Sequence, residues 1–284
     1  MTPRIPGLLP SAARAVTRAL GHESPLVRAA RPAYDWLLER LSGGRGLPWS
    51  VNGVPCHIAP RLRARLPREY EPGAARFLAS RVRPGDVCLD VGANVGAYVL
   101  QLAHWSRPGG RIIAFEPSPA AAAILTHHVR LNGLAERVEI VRAAVGAEPG
   151  TATMHVAGAD GRGRLGVEHP ELAGRTETLQ VPVTTIDQYC GAHGIMPAWI
   201  LIDIEGFEIA ALRGAGRTLA AEPPPGVVVE LHPSAWPLSG TSRAEAETLL
   251  EELGLAPVPL TASGDPLATH GIVHLARTAR GPGA

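Results

Sequence analysis

Short, nearly continuous apolar runs alternate along the chain with stretches in which apolar side chains return every three or four positions. The runs Val87–Val91, Arg111–Phe115, Val138–Val145, Trp199–Ile204 and Val227–Leu231 read as parallel strands buried on both faces. Between and around them lie helical patterns. Tyr70–Val82 sets Ala74, Phe77, Leu78 and Val82 on one side, Ala97–Trp105 follows the first run, and Ser118–Leu131 opens on an N-cap serine with proline behind it. Near the end, Ser242 and Glu245 match a capping box, opening a helix that carries Leu249, Leu250 and Leu253 and stops at Gly254. Ala256–Leu260 and Ile272–Ala276 read as the last two strands, joined by a Gly/Asp/Pro loop. Strand and helix in alternation imply an α/β fold around a mostly parallel sheet.

The flanks are less regular. Leu9, Ala12, Val16 and Leu20 recur at helical spacing, as do Tyr34, Leu37, Leu38 and Leu41 before a stop at Gly43-Gly44. Asn52-Gly53 sits between short apolar strands in Trp49–Ile58, a hairpin signal. Residues 1–65 are therefore read as an N-terminal helical arm and β-hairpin, and residues 66–284 as one domain. The segment 146–180 has weak periodicity; apart from a strand at Thr151–Val156 it reads as a long loop, the expected seat of substrate choice, with Arg162 and Arg164 available to an anionic acceptor. His127 and His128 face different directions on a helix, so they are read as surface or helix-end residues and not as a metal pair.

Chemistry concentrates after the first strand. Asp90 is followed by Val91-Gly92-Ala93-Asn94-Val95-Gly96, a strand turning sharply into a helix. Glycine in such a turn reaches backbone angles closed to other residues and lets a ligand press on the main chain. The helix start presents unpaired N–H groups that suit an anion, whereas Asp90 adds a negative charge beside them. A ligand carrying both signs fits that pair, such as the amino-acid end of S-adenosylmethionine (SAM). The loop lacks the G-x-G-x-x-G frame of dinucleotide sites. Glu116 closes the second strand about 20 residues later, the usual separation for a carboxylate that binds ribose.

The blocks Asp90–Gly96, Ala114-Phe115-Glu116-Pro117, Leu131-Asn132-Gly133-Leu134 and Ile202-Asp203-Ile204-Glu205-Gly206-Phe207-Glu208 occur in this order over residues 70–277. In them the chain resembles the FkbM family of SAM-dependent methyltransferases. That resemblance implies a Rossmann-like class I methyltransferase fold, with a mostly parallel seven-stranded sheet whose last strand is antiparallel, preceded here by an N-terminal helical extension. It also implies SAM as cofactor and O-methylation of a hydroxyl, on a sugar, a glycan or a small natural product. The cofactor contacts are assigned to Asp90, Gly92, Ala93, Asn94, Gly96 and Glu116, with Ala144 at the strand end that usually meets adenine. Where family members often carry a lysine two residues before Asp203, this chain has Leu201.

Composition narrows the partners. The formal net charge of +1 argues for neither nucleic acid nor an anionic membrane, and an aromatic content of 4% offers few platforms for unpaired bases. All 27 basic residues are arginine. Cys56, Cys88 and Cys190 are too widely spaced for a metal knuckle or disulfide framework, which fits a reducing cytoplasm. With no signal-peptide core and no membrane span in view, residues 1–45 are read as an arm packed on the core, with a membrane-surface helix as the alternative.

A hydroxyl is a poor nucleophile while protonated, so the acceptor side needs a base. Asp203, Glu205, Glu230 and His232 follow the fourth and fifth strands and are the catalytic candidates; on an extended chain Asp203 and Glu205 alternate, so one of them can cap the next helix instead. Such groups also suit Mg²⁺, but their spacing assigns no metal. Two other functions stay open: a SAM-binding regulator or scaffold without catalysis, and a nicotinamide-dependent oxidoreductase. The oligomeric state is not legible.

Overall fold

The structure is a computed structural model describing residues 24–63, 66–157, 162–165, 176–261 and 264–278. The helix read at residues 9–20 lies outside them. Helix α1 (Pro25–Ser42) starts earlier than its periodicity suggests and ends on Gly43, whose φ of 59° is the left-handed C-cap conformation. Strands β1 (Leu47–Val51) and β2 (Val54–Ile58) form the expected hairpin about Asn52-Gly53. Helix α2 (Pro72–Ala79) then leads into the core.

The core sheet contains β3 (Val87–Val91), β4 (Arg111–Phe115), β5 (Val138–Val141), β10 (Trp199–Ile202), β11 (Gly226–Leu231), β12 (Leu255–Pro259) and β13 (Gly271–Arg277). Their order is β12-β13-β11-β10-β3-β4-β5, with β13 antiparallel to both neighbours and β3, β4, β5, β10 and β11 mutually parallel. This is the Rossmann-like class I methyltransferase sheet, and β10 lies directly beside β3. Helices α3 (Ala97–Trp105) and α4 (Pro119–Leu131) share one face with α2; α5 (Ile186–His193), α6 (Glu208–Arg213), α7 (Gly216–Leu219) and α8 (Arg243–Glu252) share the other.

Side chains alternate between those faces with a period of two. Leu89, Val91, Ile113, Phe115, Ile200, Ile202, Val227 and Val229 enter the α5–α8 cluster, whereas Cys88, Ile112, Ala114, Leu201 and Val228 enter the α2–α4 cluster. Two residues beyond Cys88, Leu201 and Val228 come Asp90, Asp203 and Glu230. The same pleat that buries the apolar set therefore carries all three acids to one side, at the carboxyl ends of the strands. Leu201, standing where the lysine was expected, is 4% exposed and belongs to this core.

Several readings are corrected. The third strand ends at Val141; Ala144–Val145 is a separate strand, β6, in a second sheet. The supposed loop 146–180 supplies most of that sheet, β7 (Gly150–Ala157), β8 (Arg162–Leu165) and β9 (Thr176–Thr184), in the order β6-β9-β7-β8. The long β7–β9 ladder is hard to read from sequence because exposed polar residues such as Glu177 and Thr178 leave few apolar positions to reveal the period. The fourth strand ends at Ile202, short of Asp203. His128 is fully buried, its Nδ1–H donating to the Val95 carbonyl at 2.8 Å, so it props the loop before α3 instead of facing solvent.

Candidate active site

The turn after β3 is held from three sides. The Gly92 and Ala93 N–H groups both donate to the Phe115 carbonyl at 3.0 Å, and the Asn94 N–H donates to Glu116 Oε2 at 2.8 Å. Glu116 also accepts from Ser118 N–H through Oε1 at 2.7 Å, and its backbone N–H is fixed by Val141. One carboxylate thus ties the Asn94 turn to the start of α4. Gly92 has φ of 92°, and a Cβ there would lie 1.8 Å from the Asp203 carbonyl oxygen; only glycine lets the two strand tips close together. Asn94, at φ 46°, occupies the left-handed region that asparagine tolerates.

Asp90 lies at the base of this turn and is 3% exposed. Its Oδ2 has no hydrogen-bond partner. Burial, reinforced by the charges of Glu116 and Glu71, raises its carboxyl to about 7 despite a bond from the Val99 backbone. A buried carboxylate oxygen without a donor is costly and calls for a cationic or N–H-bearing ligand. Ala144 sits further out: its backbone pairs with Val183 of β9, and its side chain, 2% exposed, is covered by Met154 and Val181.

Across the Gly92 contact lies the acceptor side. Asp203 is half-buried, and burial together with Glu230, Glu71 and Glu205 holds its carboxyl well above the usual range. Oxygens of Asp203, Glu230 and Glu71 all lie within 4.8 Å of one another. Glu71 was not anticipated, since nothing in its local pattern marks it. It is the N-cap of α2 with a left-handed φ of 44°, an uncommon conformation for glutamate, and it accepts from Tyr98 Oη at 2.6 Å. Burial, then Glu230, moves its carboxyl up to about 7. Tyr70 packs edge-on against Tyr98, and burial among these acids raises both phenols, keeping them protonated donors.

His232 is held by a second residue that sequence reasoning gave no role. Glu208, fully buried at the start of α6, accepts from His232 Nδ1 at 2.8 Å and Gly206 N–H at 2.6 Å, while its other oxygen takes Trp236 Nε1–H at 3.0 Å. Burial pulls the His232 pKa down, but Glu208, Glu205 and Glu230 outweigh it and the net shift is upward. Glu205 is exposed, at φ 54°, and acts on Asp203 and His232 through charge, while Glu208 accepts from the backbone before α6. Glu230 pairs with His270 Nε2 at 2.6 Å and, among the described residues, with no arginine. Asp203, Glu230 and His232 are thus brought together, Glu205 stands at their rim, and Glu71, Glu208 and His270 are added.

This geometry agrees with comparison to known proteins. Residues 90–255, more than half the chain, match the model of the methyltransferase FkbM domain. The chain belongs to the FkbM methyltransferase family. The family's cofactor is SAM, and the turn fits it: Asp90 offers its unpartnered oxygen, and Glu116 sits where a ribose carboxylate is expected. The FkbM protein of Streptomyces tacrolimicus, a 31-O-demethyl-FK506 methyltransferase, is 39% identical over 99 residues, 35% of this chain and 36% of that relative. The alignment thus spans about a third of the relative's length. Among solved structures, methyltransferase FkbM from Methylobacillus flagellatus aligns with a TM-score of 0.48 at 16% identity, over 94% of this chain and 58% of that one. An O-methyltransferase from Bacillus cereus aligns with a TM-score of 0.45 at 16% identity, over 75% of this chain and 86% of the other. Among the described residues no helix is long and apolar enough to cross a membrane.

Proposed function

We propose that this FkbM-family protein methylates a hydroxyl of a sugar, glycan or small natural product. The observation that carries the reading is the adjacency of two unlike half-sites at the Gly92–Asp203 contact. One side, Asp90 with the Asn94 turn, lacks a positive partner; the other, Asp203 with Glu71, Glu230 and His232, gathers proton acceptors. When bound, SAM supplies a methyl carbon made electrophilic by its sulfonium. Asp90 would hold the ammonium, Glu116 the ribose hydroxyls, and Gly92, Ala93, Asn94 and Gly96 the backbone wall, with Ala144 behind the adenine end.

On the acceptor side the chain orients the hydroxyl and takes its proton. Asp203, its affinity for protons increased by its surroundings, is the base closest to the contact; Glu230 and His232 position the oxygen, and Glu205 adds negative potential at the mouth. Orientation of this kind contributes about 7–11 kcal/mol in favourable cases, and a base roughly 10²–10⁴-fold. The name of the S. tacrolimicus relative, which places its methyl on an oxygen of a demethylated natural product, favours oxygen as the acceptor atom.

The test is a screen of glycosides, glycans and natural-product alcohols with methyl-labelled SAM. Label in an alkali-stable ether supports the proposal; label only in amines or carboxyls removes it. SAM binding with no S-adenosylhomocysteine formed with any acceptor points to a regulatory protein. Asp203→Asn is expected to lower turnover by about 10²-fold or more while leaving SAM affinity near wild type.

A further inference from the structure

The pairing of β11 with β13 brings together residues that are remote in sequence. Leu231 stands opposite Gly271 in this antiparallel ladder, so the next position along sets His232 against His270. Directly opposed residues share a face. Their rings stack at 4.5 Å with 26° between planes. Glu230, two residues before His232, points to the same side. Both Nε2 atoms approach one oxygen, Glu230 Oε1, at 4.0 Å from His232 and 2.6 Å from His270. One ligand atom from each of the three residues falls within 4.8 Å of the others.

A single ion pair between His270 and Glu230 accounts for only part of this. It leaves unexplained why His232 aims Nε2 at the same oxygen while its other nitrogen is fixed from behind. That fixing comes from Glu208, which is fully buried and lies outside the cluster. A histidine that gives its far N–H to a buried carboxylate, with its near nitrogen turned into a group of acids, has the arrangement of a metal ligand and its supporting shell. On the other side of Glu230, Asp203 and Glu71 add two more carboxyl groups within 4.8 Å.

We infer that Glu230, His232 and His270 form a site for a divalent metal ion, with Asp203 and Glu71 beside it. Two imidazoles with carboxylate oxygen suit Mn²⁺ or Zn²⁺ better than Mg²⁺ or Ca²⁺, which take oxygen ligands. Sequence spacing alone assigns no metal here; the role of the ion rests on the methyl-transfer reading. An acceptor hydroxyl placed on the ion loses its proton more readily. That proton passes to Asp203, the oxygen forms its bond to the methyl carbon, and the carbon–sulfur bond breaks with its electron pair staying on sulfur as a neutral thioether.

The experiment uses the full chain after chelator treatment, titrated with Mn²⁺ by loss of the free-ion EPR signal and with Zn²⁺ against a chromophoric chelator. One equivalent is expected to bind at micromolar concentration or tighter. His270→Ala, at a residue 58% exposed and outside the core, is expected to weaken binding by at least about tenfold without a change in thermal midpoint, and Glu208→Gln by about 10–100-fold. Asp90→Asn separates the two readings: it is expected to keep metal affinity and lose SAM affinity. Failure to bind either ion at millimolar concentration, or binding indifferent to both His270→Ala and Glu230→Gln, overturns the site whatever SAM does. Methyl transfer that runs unchanged in chelator removes the ion from the reaction, whereas a chain that binds metal but not SAM overturns the methyltransferase reading alone.

Discussion

Asp90 shows how a single buried carboxylate couples folding, pH and ligand. With its carboxyl raised to about 7 by burial, Glu116 and Glu71, its folded pKa lies above the unfolded one. The stabilising contribution of the protonated form is therefore fully present below the unfolded value, about 3.9, and is lost as pH rises through the folded one. An ammonium group beside it favours the carboxylate, so SAM binding below that pKa must expel a proton. We predict that SAM affinity falls by up to about tenfold per pH unit below pH 7, and that calorimetry in buffers of different ionisation heat near pH 6 finds close to one proton released. A flat profile across that range would remove Asp90 from the ammonium. Asp90→Asn should act in opposite directions on the two properties. At pH 8 it is expected to stabilise the free protein by on the order of 2 kcal/mol, read by denaturant melts, while weakening SAM by tenfold or more. Gly92→Ala tests the adjacent contact. With a Cβ 1.8 Å from the Asp203 carbonyl and φ at 92°, the tips of β3 and β10 cannot keep their spacing, and a loss of about 3 kcal/mol or more is expected in thermal unfolding.

Elements differ in how far the sequence reveals them, and the difference has a physical cause. β3, β4, β10 and β11 are buried on both faces, so their apolar runs stand out, and the acid closing a run marks its functional end. That made Asp90, Glu116, Asp203, Glu230 and His232 readable from their own neighbourhoods. Glu71, Glu208 and His270 were not, because each acquires its role from a contact far along the chain: Glu71 from Tyr98 and Glu230, Glu208 from His232, His270 from strand register. Glu208 did stand in the block that carried the family resemblance, but no spacing rule connects it to a histidine 24 residues away. The hairpin was legible from Asn52-Gly53, yet its use was not. Asn52 donates through Nδ2 to the Tyr70 carbonyl and to Gln101 Oε1, and accepts the Tyr70 N–H at 3.0 Å. A turn residue thereby fixes the segment that presents Tyr70 and Glu71. Asn52→Ala removes these bonds and leaves Gln101, which is fully buried, short of a donor. We predict a loss of about 2–3 kcal/mol in denaturant melts and a fall in methyl transfer greater than any fall in SAM affinity. If turnover and SAM affinity drop together, the hairpin is not acting through the Tyr70–Glu71 segment.

At the scale of the whole molecule, the hairpin's packing sets a limit on how the chain can be divided. Val51, Cys56 and Ile58 of the hairpin share one apolar cluster with Leu66, Val95, Ala97 and Leu100. Val95 immediately precedes Gly96 of the cofactor turn, and His57 exchanges backbone bonds with the Asn132 side chain at the end of α4. The hairpin is therefore one wall of the loop that follows β3. Helix α1 makes its most extensive described contacts with the Pro60–Leu62 turn and with Arg63 through Asp35, and Leu26 and Trp36 on it remain exposed. The two deletions should thus behave differently. Removing residues 1–45 is expected to keep a cooperative unfolding transition and SAM affinity within about twofold, because none of the described residues 24–45 is a partner of Asp90 or Gly92. Removing residues 1–65 uncovers Val95 and Leu100 together, and a truncated chain of that kind is expected to aggregate or to lose its cooperative transition, with SAM binding lost alongside. Thermal melts and calorimetry on the two truncations read both outcomes. A soluble 66–284 fragment with full SAM affinity would make the hairpin an appendage, and the cofactor turn would then owe its shape to Phe115, Glu116, His128 and Asp203.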